Sequence, residues 1–215
     1  MEPRKILPGL FHWTSSHPKI GIDVSSYLLS DVRVLLDPLL PVGGLDWLRR
    51  DGPPEHVVLT NRHHWRHSSE LVKAFDLSVW CNERGLDEVA KEPGADHVRG
   101  FRAGDVLVGG IESHQVGVLC PDETALRFAA LDGTECLAVA DGVVRFGKSG
   151  IGDGPLGFVP DGLIADDADD VERVKRGLRD AYRRLCDLEW STLLLAHGLP
   201  LVGDGRERLR RFVEA

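Results

Sequence analysis

Short apolar runs alternate along this chain with segments whose apolar residues recur at helical spacing. Ser26-Tyr-Leu-Leu-Ser30 and Arg33-Val-Leu-Leu-Asp37 predict two strands of a hairpin turning at Asp31, and Pro38 stops the second. Gly44-Leu-Asp-Trp-Leu48 opens a short helix that ends by Gly52-Pro53-Pro54. Val57-Val-Leu-Thr60 predicts a buried strand, Ser69 to Phe75 a helix and Leu77 to Trp80 a further strand, which together make a βαβ unit. The middle of the chain is β-rich: Val106–Val108, Ile111–Val118, Thr124–Leu131 and Cys136–Phe146 are separated by turn signals, Asp132-Gly133 being a hairpin cue. Gly147 to Gly162 is rich in glycine and proline and predicts a loop.

The clearest helix follows. Asp169-Asp170 can cap it, and Val171, Val174, Leu178, Tyr182 and Leu185 form one apolar stripe. Its acidic start and its Arg183-Arg184 end suit the helix dipole. Thr192 to Ala196 predicts a buried strand, and a last helix runs from about Arg206 to Val213. No linker, repeat or low-complexity tract interrupts the 215 residues, so the expectation is one domain, 1–215.

Composition narrows the functional classes. Hydrophobic content of 42% and charged content of 28% suit a soluble globular chain. A net charge of -8 argues against nucleic acid or an anionic membrane as the partner, and no apolar run is long enough to span a bilayer. No secretory signal is apparent, and Cys81, Cys120, Cys136 and Cys186 are widely spaced, so reduced thiols in a cytoplasmic protein are expected. The sequence does not fix an oligomeric state.

Three places can carry chemistry, each after an apolar strand. The loop Asn61-Arg-His63-His64-Trp65-Arg66-His67 holds three histidines in five residues, at the strand end where open α/β sheets place their sites. Asp141-Gly142 follows Leu137 to Ala140, and His197-Gly198 follows Leu193 to Ala196. Asp and His at strand ends of one sheet can converge, and both are zinc ligands.

The order of these pieces resembles the metallo-β-lactamase superfamily, from about Ser25 to Val213. Ser26-Tyr-Leu-Leu and Val34-Leu-Leu-Asp37 resemble its opening hairpin, which ends in a structural aspartate. Leu59-Thr60 and the histidine loop resemble its Leu-Thr-His-x-His-x-Asp-His motif. Pro121 to Leu126, Ala140-Asp141 and Leu194-Leu-Ala-His197-Gly198 resemble its later motifs. The resemblance implies an α/β (α+β) fold, a four-layer αββα sandwich with the site at one edge of two central sheets. It also implies a hydrolase-like protein.

Carried over position by position, the metal motif is degenerate. Asn61 stands at the first histidine, His63 at the second, Trp65 at the aspartate, Arg66 at the next histidine and Leu119 at the third metal histidine. His63, Asp141 and His197 survive, drawn from two half-sites. The leading expectation is therefore no cofactor. An Arg66–Asp141 ion pair would stand in place of the metals, Asn61 and His63 would add hydrogen bonds, and the site (Asn61, His63, Arg66, Asp141, His197) would bind a small anionic ligand or a partner. The alternative is one zinc in a rebuilt mononuclear site, using His63 or His64 with His197 and drawing on His67 and His114, in a hydrolase of esters, thioesters or similar substrates.

Other groups read more simply. His12, Trp13 and His17 suit packing against a sheet edge, with covering the site as the alternative. The glycines from Gly147 to Gly157 lack the strand-then-helix setting of a phosphate loop. The acidic run Asp166 to Asp170 lacks the ligand spacing of a calcium loop and suits a helix N-terminus. Cys120 as a nucleophile would need a paired histidine, with His114 the candidate.

Overall fold

The computed structural model describes residues 1–51, 53–147, 150–165 and 167–215. Gly52, Lys148, Ser149 and Asp166 lie outside the described residues; the first helix end, the glycine-rich loop and the acidic run expected above each draw on one or more of them.

Two sheets face each other. The larger has seven strands in sequence order: β1 (Arg4–Leu7), β2 (Leu10–Ser16), β3 (Asp23–Leu29), β4 (Val34–Leu36), β5 (His56–Val58), β6 (Ser78–Asn82) and β7 (Val98–Phe101). The first four pair antiparallel, and β4 through β7 run parallel. The smaller comprises β8 (Glu112–Gln115), β9 (Thr124–Ala129), β10 (Glu135–Val139) and β13 (Thr192–Leu195), with β10 and β13 parallel. β11 (Val143–Gly147) and β12 (Gly150–Phe158) form a separate hairpin.

Strand alternation explains the layers. Tyr27, Leu29, Leu36 and Val58 point inward and meet Leu126, Phe128, Ala138 and Leu194 of the other sheet in one apolar cluster. Their neighbours Leu28, Leu35 and Val57 point outward, under α1 (Gly44–Asp51), α2 (Ser68–Phe75) and α3 (Leu86–Val89). On the far side Leu137, Val139, Leu193 and Leu195 pack beneath α4 (Ala168–Cys186) and α5 (Gly205–Glu214). The result is the expected four-layer αββα sandwich. Tyr27 crosses between the sheets: its hydroxyl donates to Leu195 O at 2.8 Å and accepts from Leu195 N at 3.0 Å.

Local chemistry fixes the helix ends. Asp167 Oδ1 accepts from Asp169 N at 2.9 Å and Asp170 N at 3.2 Å, so the cap of α4 lies just before the expected pair. α2 stops at Asp76, which turns left-handed (φ 52). Three expectations need correction. β1 and β2 add two strands to the expected set, and β2 carries His12 and Trp13 into the interior where packing at a sheet edge is expected. Val106 makes only an isolated bridge, because Val108–Gly110 winds into a short turn. The glycine-rich stretch after Gly147 contains β12: its glycines leave room for a tightly bulged hairpin where a loop was expected.

Candidate functional site

Four polar segments meet at one edge of the sandwich, each just past the carboxyl end of a parallel strand. Asp37 follows β4, the histidine loop follows β5, Asp141 follows β10 and His197 follows β13. Here the sheet ladders have ended and side chains from both sheets can turn towards one another.

The loop after β5 sets the geometry. Asn61 caps a 3₁₀ turn, Arg62–His64, by accepting from His63 N at 2.8 Å through Oδ1. The tight turn puts His64 on the inner side and leaves His63 exposed. His64 is then clamped at both ring nitrogens. Nδ1 lies 2.9 Å from Asp37 Oδ2 and 2.9 Å from Thr60 Oγ1, and Nε2 lies 3.0 Å from Asp141 Oδ1. Thr60 adds two hydrogen bonds to Asp37, from N at 2.9 Å and Oγ1 at 2.5 Å. Asp141 is engaged at both oxygens. Oδ1 also meets His197 Nε2 at 3.0 Å, and Oδ2 accepts from Asn61 Nδ2 at 2.8 Å.

Electrostatics follow from this packing. Burial alone would lower the pKa of His64, but the Asp37 and Asp141 carboxylates outweigh it and raise it to about 9. Burial works the other way on Asp141, yet the His64 charge and the His197 hydrogen bond hold its carboxyl well below the ordinary range. Asp37 is likewise held low, against its burial, chiefly by His64.

Several expected residues stand elsewhere. The Arg66–Asp141 pair does not form. Arg66 does turn inward, from a left-handed backbone (φ 48), but its Nη1 donates to Ser25 O at 2.8 Å and Asp37 O at 2.5 Å. The place at Asp141 is filled by His64, His197 and Asn61. His63 is no partner of Asp141, because the capped turn directs it to the surface. His67 is spent on the backbone, its Nδ1 accepting from Leu40 N at 3.0 Å. His114 faces Glu112 at 3.5 Å on β8. Trp65 points into the outer core and donates to Ser69 Oγ at 2.8 Å. Leu119 packs against the core under α4. Among the described residues no histidine pairs with Cys120, and burial, then Asp122 and Glu123, push its thiol up to about 11, which disfavours the nucleophilic thiolate.

The sequence reading missed the support beneath the loop. Asp122 is fully buried and binds Arg62 three times, accepting from N and Nε at 2.6 Å each and from Nη2 at 2.5 Å. Glu123 is also fully buried and accepts from Gly142 N at 3.1 Å; burial, then Asp141, raise its pKa to about 8. Two adjacent acids before a strand were the available signal. A cavity of about 420 Å³ opens over the cluster, with His17, Lys19, His63 and Arg66 on its wall beside His64 and His197. Burial lowers the pKa of His17, and the charges of Arg66, Lys19, His64 and His197 lower it further.

Among the described residues, His64, Asp141 and His197 are the one group whose donor atoms could hold a metal, all within 4.8 Å of one another. Three donors fit one ion, the protein share of a catalytic zinc site, and do not fit two. Asp37 on His64 Nδ1 is also the kind of carboxylate that orients a ligating imidazole.

No protein-family model matches the sequence, and no curated protein sequence matches it. Solved structures do. A B3 metallo-β-lactamase with an active-site glutamic acid superposes with TM-score 0.65 over 100% of this chain and 89% of its own, at 16% identity. A metallo-β-lactamase from Cronobacter sakazakii with a HARLDQ motif gives 0.62 over 92% and 81%, at 13% identity. A mutant flavo di-iron protein from Thermotoga maritima gives 0.65 over 98% of this chain and 61% of its own, at 17% identity. With two helix-covered sheets and these superpositions, the chain has the metallo-β-lactamase fold.

Proposed function

We propose that this protein binds a small anionic ligand over a site that has lost the dinuclear metal centre. The observation that carries the reading is the donor set: among the described residues His64, Asp141 and His197 alone converge, too few for two metals, and Asn61 hydrogen-bonds the second Asp141 oxygen. His64 lies between two carboxylates, so an internal imidazolium takes the position of a bridging cation. The fixed cations Lys19, Arg62 and Arg66 on the cavity wall, with the His64 imidazolium at its floor, outnumber Glu88, Glu92 and Asp141, a balance that favours an anion. Two measurements on untagged protein test this. Metal analysis is expected to find less than about 0.1 zinc per chain, and calorimetry is expected to detect binding of phosphate or acetate that weakens with salt. Stoichiometric zinc with no anion binding would overturn it.

A second reading rests on the three-donor group. His64, Asp141 and His197 would hold one metal ion, which supplies an activated water for hydrolysis of an ester or related substrate. Hydrolysis of nitrophenyl esters or phosphodiesters that a chelator abolishes and zinc or manganese restores would favour it. Activity indifferent to chelator would remove it.

A further inference from the structure

His197 is steered from behind by a residue outside the cluster. In the β11–β12 hairpin Arg145 faces Leu156, yet the next residue, Phe146, faces Ile151, so residues 152–155 bulge out of the pairing. The bulge reaches the loop after β13, where Leu199 N donates to Gly152 O at 2.8 Å. Arg145 is threaded between the two and only 6% exposed. Its Nε donates to Gly154 O at 2.8 Å, Nη1 to Leu199 O at 2.7 Å and Nη2 to Asp153 O, while its backbone N donates to His197 O at 2.9 Å.

The backbones interlock around this side chain. A Cβ on Gly198, whose φ is 129, would lie 2.6 Å from Arg145 Cβ, and one on Gly154 would lie 1.4 Å from Phe146 O. Burying a guanidinium costs desolvation, and an apolar side chain would fill the space without it. What only the planar fork supplies is simultaneous donation to carbonyls of two separate segments. Among the described residues the His197 ring hydrogen-bonds Asp141 through Nε2 and meets the His64 ring edge-on at 6.1 Å, and its Nδ1 has no partner.

We infer that Arg145 is a positioning residue for His197: it buckles the bulge of β12 to the His197–Leu199 loop and so sets the angle at which the imidazole meets Asp141. The functional half of this inference rests on the anion-binding reading; the geometric half does not.

The full chain is compared as wild type, Arg145→Lys and Arg145→Met, with Leu48→Ala as a control that loosens the outer core under α1, away from the cavity. Imidazole NMR of His197, phosphate affinity and urea midpoint are read for each. Both Arg145 variants are expected to shift the His197 resonances. Affinity is expected to fall by roughly tenfold in Arg145→Met, the scale on which loss of an orienting neighbour acts, and by less in Arg145→Lys. Leu48→Ala is expected to lose stability with the resonances in place. If Arg145→Met does not fold, Arg145→Lys decides alone. Unchanged His197 resonances and affinity in the folded Arg145 variants would overturn the inference. If wild type binds no phosphate, the proposed function fails while the resonances still judge the positioning.

Discussion

Which of two adjacent histidines faces inward decides the chemistry at this edge. Asn61 makes that choice by capping the 3₁₀ turn with Oδ1 and reaching Asp141 with Nδ2, so one amide both bends the loop and holds the carboxylate. The sequence showed a histidine-rich loop and the positions of Asp141 and His197, but not the phase of the turn. One residue of rotation exchanges His63 for His64, and no periodicity in a seven-residue loop reports it. The contrast is measurable. His64→Ala leaves Asp37 and Asp141 without their common partner, and removing one member of such a buried set costs about 3 kcal/mol. His63→Ala, at an exposed position, should change stability by less than about 0.5 kcal/mol. Urea denaturation of the two variants separates them, and equal losses would contradict the placement of His64.

At the scale of elements, the strongly periodic segments were readable and the irregular ones were not. α4 carries its whole apolar stripe and its dipole-matched ends in the sequence. β10 and β13 are uninterrupted apolar runs because the layers on both sides bury them. β12 was hidden because Gly150–Phe158 has the composition of a loop; its pairing depends on Arg145 and on contacts with a segment more than forty residues away. The cap of α4 was misplaced by two residues for a local reason: Asp167, Asp169 and Asp170 are alike in type, and only backbone geometry selects the one that caps. Asp167→Ala should therefore lower stability by about 1 kcal/mol, while Asp169→Ala should not. Thermal or urea midpoints of the pair check this, and the reverse order would move the cap.

For the whole molecule, buried titratable groups make stability depend on pH with opposing signs. Burial, then Arg4, lower the pKa of His12 from 6.5 to about 4, so its contribution is present above pH 6.5 and is lost as pH falls towards 4. Glu123 is raised from 4.5 to about 8, so its contribution is full below pH 4.5 and is lost as pH rises through 8. His64, raised from 6.5 to about 9, contributes below pH 6.5 and loses that as pH rises through 9. Between pH 4.5 and 6.5 His12 and Glu123 offset one another; above that Glu123 and His64 act together. Urea midpoints should be nearly level over the first interval and fall towards pH 9. Glu123→Gln should expose the His12 slope, with stability rising by about 1 kcal/mol from pH 5 to neutrality after the opposing His64 loss. A variant as level as wild type across that interval would refute the assignment.

The four segments that meet at the edge lie far apart in sequence, from Asp37 to His197, and they come from both sheets. No local piece of the chain holds more than a fragment of the cluster. During folding, loop closure over such separations is late, and it has to precede any contact between these side chains. Until the sheets dock, Asp37, His64, Asp141 and Arg66 keep their own shells of water. Docking the sheets costs those shells, so the cluster adds its attraction only where both sheets are in place to supply every partner.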